Sequence, residues 1–168
     1  MTLEELNSLP SSAAAEEFLK CCGSMRWARR MSDARPFPNF SHLTKEAEQV
    51  WWSLTEEDWL EAFRAHPKIG ERKAEATQSK HAQQWSAQEQ SASQEAAAET
   101  KAALADANRS YEQRFGFIFI ICATGKSADE ILGFLRDRLG NDPQAELRVA
   151  AEEQRKITQL RLKKLLEN

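Results

Sequence analysis

Residues 86–115 read SAQEQSASQEAAAETKAALADANRSYEQRF, a run dominated by Ala, Glu, Gln and Ser and lacking Val, Ile and Trp. Summed helix propensity over such a stretch is strongly favourable, and no period-two alternation competes with it. Ser86-x-x-Glu89 at its head fits a capping box and Gly116 at its tail fits a helix stop, so the segment predicts one helix, or two meeting near Asp106-Ala107-Asn108. The same bias extends outward, since Val occurs only at positions 50 and 149 of the 168 residues.

Toward the amino terminus, Thr2-x-x-Glu5 is a capping box for a short first helix. Ser12 is the expected cap of a second helix running to the stop at Gly23, and a third covers Ser24 to Met31. Pro36 and Pro38 make a connector before a fourth helix from about Ser41 to Leu54, whose buried stripe is Val50, Trp51 and Leu54. Thr55 caps a fifth that ends at His66, because Pro67 pushes the preceding residue out of helical dihedrals. From Pro67 to Trp85 the chain is polar, and a short helix fits Glu71 to Lys80.

Toward the carboxyl terminus, Phe117-Ile118-Phe119-Ile120-Ile121-Cys122 is a continuous apolar run with no second strand to pair with, so a buried extended-to-helical segment is expected. Ser127-x-x-Glu130 caps a helix with Ile131, Leu132, Leu135 and Leu139 inward and Gly140 as its stop. Asn141 or Asp142, ahead of Pro143, opens a last helix reaching Leu166. The expected fold is all-α, a multi-helix bundle forming one domain over residues 1–168.

A net charge of −3 offers no basic excess for tracking phosphates, which argues against nucleic acid. Cys21 and Cys22 are adjacent and Cys122 lies in the apolar run, a poor basis for a disulfide framework. No window has the length of a membrane span, and the amino terminus lacks a signal-peptide pattern, so a cytoplasmic setting is expected. Gly125-Lys126-Ser127 resembles the tail of a phosphate-binding loop, but Ile120 stands where its opening glycine belongs. His42, His66 and His81 are not at metal-ligand spacing, so no metal site is expected.

Each remaining polar residue has an ordinary explanation. Ser86 and Glu89 suit a helix start, worth roughly 1 kcal/mol. His66 suits a helix end, Arg161 a solvated helix face, and Phe117 and Phe119 a core. Together, however, His66-Pro67-x-x-Gly70, Ser86-x-x-Glu89-Gln90, Asn108-x-x-Tyr111-x-x-x-Phe115-Gly116-Phe117-x-Phe119-Ile120 and Ile157-x-x-x-Arg161-Leu162 resemble the OHCU decarboxylases. These enzymes act on 2-oxo-4-hydroxy-4-carboxy-5-ureidoimidazoline in urate breakdown.

The resemblance implies an all-helical homodimer without metal or organic cofactor, with His66 as catalytic acid/base. It assigns Pro67, Ser86, Glu89 and Gln90 to the substrate pocket, with Ile118, Phe119, Ile120, Ile121 and Cys122, and makes Arg161 the anion partner. The substrate's chemistry then suits Glu89 to hydrogen-bond the substrate hydroxyl or the imidazole, and Phe117, Phe119 and Ile121 to supply flat walls for the ring. The implied product is (S)-allantoin, with functional coupling to hydroxyisourate hydrolase, which supplies the labile substrate, as an expected partnership. The rival readings are a non-catalytic helical binding module and a hydrolase of a related cyclic ureide. Loss of carbon dioxide separates both from a decarboxylase.

Overall fold

A computed structural model describes residues 1–69, 79–91 and 97–167. Among them are nine α-helices and no strand. The chain divides into two compact units, residues 1–62 with 155–168, and residues 63–154.

The first unit begins with α1 (Leu3–Ser8), where Thr2 Oγ1 accepts from the Glu5 amide at 3.1 Å and the Glu5 carboxylate accepts from the Thr2 amide at 2.7 Å. Helix α2 (Ser11–Cys21) differs from expectation at its start. Pro10 stands at the N-cap without a side-chain bond, and Ser12 lies inside the first turn, because proline's fixed φ already suits the entry. Ser24 caps α3 (Met25–Asp33) by accepting from the Trp27 amide, and Asn39 caps α4 (Phe40–Trp52) by accepting from the His42 amide.

Helix α5 (Glu56–Arg64) starts where Thr55 and Asp58 exchange side-chain and amide hydrogen bonds. Phe18, Trp27, Met31, Leu43, Trp51 and Trp59 form much of this unit's core. Two indole N–H groups meet carbonyls there, Trp27 that of Ala47 and Trp59 that of Trp51, so these two rings are buried without orphaned donors. Arg35 Nη1 donates to the carbonyls of Leu6 and Leu9, groups that the end of α1 leaves without helical partners.

The second unit holds α6 (Lys80–Glu89), α7 (Ala98–Phe115), α8 (Ala128–Arg138) and the first half of α9 (Pro143–Leu166). Ser127 and Glu130 form the expected capping box of α8, and Asp142 Oδ2 accepts from the Gln144 and Ala145 amides at the start of α9. Gly116 ends α7 with φ +79, the left-handed turn that a Cβ disfavours, and its N–H reaches the Glu112 carbonyl. Leu104, Tyr111, Phe119, Ile121, Ile131 and Leu135 belong to one buried cluster. Fully burying such an aliphatic or aromatic side chain contributes about 1.5–3 kcal/mol.

Two expectations for residues 71–115 are corrected. Ser79, not Ser86, is a helix cap: its hydroxyl accepts from the Ala82 amide, and α6 runs seven residues past Ser79 before it reaches Ser86. Ala82, Trp85 and Ser86 are the buried face of that helix, so the S-x-x-E pattern at Ser86 is interior sequence. The Ala-rich run is consequently not one helix from Ser86, and Asp106-Ala107-Asn108 lies within α7 rather than at a junction. Gly70 and most of the short helix expected over Glu71–Lys80 lie outside the described residues.

Candidate active site

His66 lies just beyond α5, where its amide donates to the Phe63 carbonyl at 3.1 Å. Pro67 follows, also buried, and Lys68 Nζ pairs with Glu112 of α7 at 2.9 Å, which ties the turn down on its far side. The imidazole is buried, and its Nε2 stands 2.6 Å from Oε1 of Gln154 on α9. Gln154 itself is fully buried. Both partners therefore lie out of water, where a hydrogen bond is stronger and its loss costs more.

Ser86, Glu89 and Gln90 occupy the last turn of α6, not the first turn of a helix. Gln90 is the C-cap, and its amide donates to the Ser86 carbonyl at 3.2 Å. Ser86 and Gln90 are buried and Glu89 is half-buried. The sign of the local field reverses accordingly: this end of the helix presents carbonyls and favours cations or proton donors, whereas a first turn would gather anions.

Residues 117–123 form neither helix nor strand, and Ile118 to Ala123 are all buried. Their side chains divide by position. Phe119, Ile121 and Ala123 pack into the cluster around Tyr111 and Ile131, while Ile118, Ile120 and Cys122 stand outside it. Phe119 and Ile121 thus face the core rather than forming open flat walls, and Phe117 is half-buried against Phe63 and Tyr111.

Cys122 faces charged groups. Burial pushes its thiol up, Lys126 opposes this, and the carboxylates of Glu153 and Glu89 reinforce it. Glu89 and Glu153 therefore both act on Cys122, and Gln154, the neighbour of Glu153, holds His66.

A buried polar network fixes the backbone of this segment. Arg138 Nη1 donates to the Ile120 carbonyl at 2.7 Å, and its Nε donates to Glu146 Oε1 at 2.7 Å. Glu146 also accepts from Tyr111 Oη at 2.5 Å and from Asn141 Nδ2 at 2.9 Å. The Arg138 guanidinium lies 4.4 Å from the Phe119 ring centroid. Burial, chiefly, and the Glu146 carboxylate push the Tyr111 hydroxyl above its ordinary range, so it remains a donor.

Arg161 belongs to the first unit. It is buried there, donates from Nη1 to the Lys20 carbonyl at 3.4 Å, and favours the thiolates of Cys21 and Cys22 against the burial that raises both. Among the described residues no group of three His, Cys, Asp or Glu side chains is placed to hold a metal, and no helix is long and apolar enough to cross a membrane.

Gln154, Arg138 and Glu146 escaped the sequence reading. Each sits in a charged or polar stretch that reads as a solvated helix face, and only tertiary burial distinguishes them.

The family model for OHCU decarboxylase matches residues 7–163. A 2-oxo-4-hydroxy-4-carboxy-5-ureidoimidazoline decarboxylase of Haloferax volcanii is 31% identical over 163 residues, which cover 96% of this chain and 94% of that protein. The uric acid degradation bifunctional protein TTL of Arabidopsis thaliana is 38% identical over 151 residues; the match takes in 89% of this chain but only 46% of that protein. A crystal structure of OHCU decarboxylase in the presence of (S)-allantoin superposes with a TM-score of 0.78 at 38% identity, covering 91% of this chain and 99% of that one. With the family model spanning residues 7–163 and a full-length relative 31% identical, the chain belongs to the OHCU decarboxylase family.

Proposed function

We propose that this chain decarboxylates 2-oxo-4-hydroxy-4-carboxy-5-ureidoimidazoline to (S)-allantoin, with His66 delivering the proton that sets the product's configuration. The observation that carries this reading is the buried His66–Gln154 pair, in a unit that also holds Ser86, Glu89, Gln90 and the 118–122 segment. An imidazole held rigidly out of water at a fixed orientation suits a proton that must reach one face of a carbon.

The substrate carbon that loses carbon dioxide adjoins a ring C=N bond. When the C–COO⁻ bond lies perpendicular to the ring, its electron pair forms a ring C=C bond and the C=N pair moves onto nitrogen, which takes one proton from solvent. The resulting enol gives up its hydroxyl proton while the carbon bearing the ureido group gains one from His66. One proton is consumed for each carbon dioxide released.

Glu89 hydrogen-bonds the substrate hydroxyl or the imidazole and fixes its proton state. Ser86, Gln90 and Pro67, with the backbone of residues 118–122 and the half-buried Phe117, position the ring and ureido groups. In this reading residues 1–168 act as one functional domain, working in the cytoplasm as a homodimer in functional step with hydroxyisourate hydrolase.

The test generates the labile substrate from urate with urate oxidase and hydroxyisourate hydrolase and follows carbon dioxide release and the circular dichroism of allantoin. Addition of this chain is expected to speed decay and create optical activity, and His66→Asn to abolish the chiral signal with the helical spectrum intact. Racemic product at the uncatalysed rate would overturn the reading.

A further inference from the structure

Gln154 Oε1 lies 2.6 Å from His66 Nε2, and both side chains are buried. An amide oxygen has lone pairs and no hydrogen, so it only accepts, and Nε2 must carry a hydrogen for the bond to exist. In the neutral ring the lone pair is then on Nδ1. In the imidazolium, Nδ1–H is the proton that can leave without breaking the buried bond.

We propose that Gln154 is a positioning residue that fixes His66 as its Nε2–H tautomer and makes Nδ1 the atom that exchanges protons with the substrate. This rests on the decarboxylase reading of His66. The bond spans 88 positions of sequence and joins the turn after α5 to α9 within one unit. The ring is thus oriented by a long helix as well as by its own turn.

The neutrality of the partner matters. A carboxylate at this position would keep the aim of the ring but stabilise the imidazolium, slowing proton transfer to carbon by less than loss of the aim does, whereas an amide aims the ring without adding charge. Proton balance is simple: Nδ1–H gives its proton to the carbon bearing the ureido group, the ring becomes the neutral Nε2–H form, and Nδ1 is reprotonated by the proton that the enol hydroxyl releases.

Protein labelled with ¹⁵N-histidine reads the tautomer directly, without substrate, in long-range ¹H–¹⁵N spectra. The chain has three histidines, and the signals lost in His66→Asn identify the relevant ring. In the neutral ring, Nε2 is expected at a protonated shift and Nδ1 at an unprotonated one; the reverse pattern overturns the proposal.

The decarboxylation assay then compares Gln154→Met with Gln154→Glu. Met removes the acceptor and is expected to lower kcat at least about tenfold with little change in KM, as loss of an aligned acid/base does. Glu keeps an acceptor oxygen and is expected to retain more kcat than Met. A merely structural glutamine gives the opposite order, because Met fills a buried site without a charge, and that order refutes the positioning role. A wild-type protein with the Nε2–H tautomer but no carbon dioxide release would sink the functional reading, and with it the delivery through Nδ1, while leaving the tautomer assignment standing.

Discussion

Removing the Glu146 carboxylate should be among the most damaging single changes in the second unit. Glu146 is fully buried and accepts from Arg138, Tyr111 and Asn141, so Glu146→Ala strands a guanidinium whose side chain is 9% exposed. Breaking one partner of a buried pair costs about 3–5 kcal/mol, because the remaining charge has lost its compensation and cannot reach water. For a chain of this size each kcal/mol lowers Tm by roughly 2–4 °C, so a drop of roughly 6–20 °C is expected.

The double variant Arg138→Met/Glu146→Leu removes both charges and replaces them with apolar volume. It should recover most of that loss and lie within about 2 kcal/mol of the parent, since a buried pair and a hydrophobic isostere are often near equal. Urea unfolding followed by far-ultraviolet circular dichroism measures the four corners of the cycle, the parent, Arg138→Met, Glu146→Leu and the double variant, beside Glu146→Ala. A single-variant cost below about 1 kcal/mol, or a double variant as unstable as the sum of the singles, would refute the account of the pair as mutually compensating.

Two glycines should respond to alanine with opposite signs. Gly116 ends α7 at φ +79 in open space, so Gly116→Ala pays only backbone strain, about 1–2 kcal/mol, whereas Gly133 lies in α8 with nothing within 4 Å of a new Cβ, and Gly133→Ala should gain about 0.5–1 kcal/mol. Urea midpoints that move in the same direction would contradict this. Alkali should destabilise the first unit through its buried thiols: burial pushes Cys22 up to about 12 from 9.0, so the folded state keeps its proton while the unfolded state releases one. The contribution is fully present below pH 9 and falls as pH rises, by about 1.4 kcal/mol at pH 10 for this one thiol. Cys22→Ala, measured under reducing conditions, should flatten the loss between pH 8 and pH 10, and an unchanged slope would remove the thiol from the account.

Helix boundaries were legible in the chain wherever a cap is local. Thr2 with Glu5, Ser127 with Glu130, Gly116 and Asp142-Pro143 work through neighbours within a few positions, and the structure uses them as read. Ser86 with Glu89 failed because the same four-residue spacing also lies along one face of a helix interior. Only the burial of Ala82, Trp85 and Ser86, a tertiary fact, places the cap at Ser79.

For the candidate site, the His66-Pro67 turn and the α6 motif stood out as sequence, whereas Gln154 did not. Gln154 follows two glutamates and precedes Arg155, a composition that predicts solvent exposure, and its partner is 88 positions away. Arg138 in Arg136-Asp137-Arg138 was hidden for the same reason.

The irregular stretch between α7 and α8 sends Phe119, Ile121 and Ala123 into the core while Arg138 grips the Ile120 carbonyl. Deleting or inserting one codon there would exchange the two sets of side chains and drag the carbonyl off its donor, a frame error in three dimensions. Under the proposed site assignment, a library at positions 118, 120 and 122 changes side chains outside that core cluster without changing length. Grafting a longer or shorter loop at the same place would instead unseat the core it is threaded through.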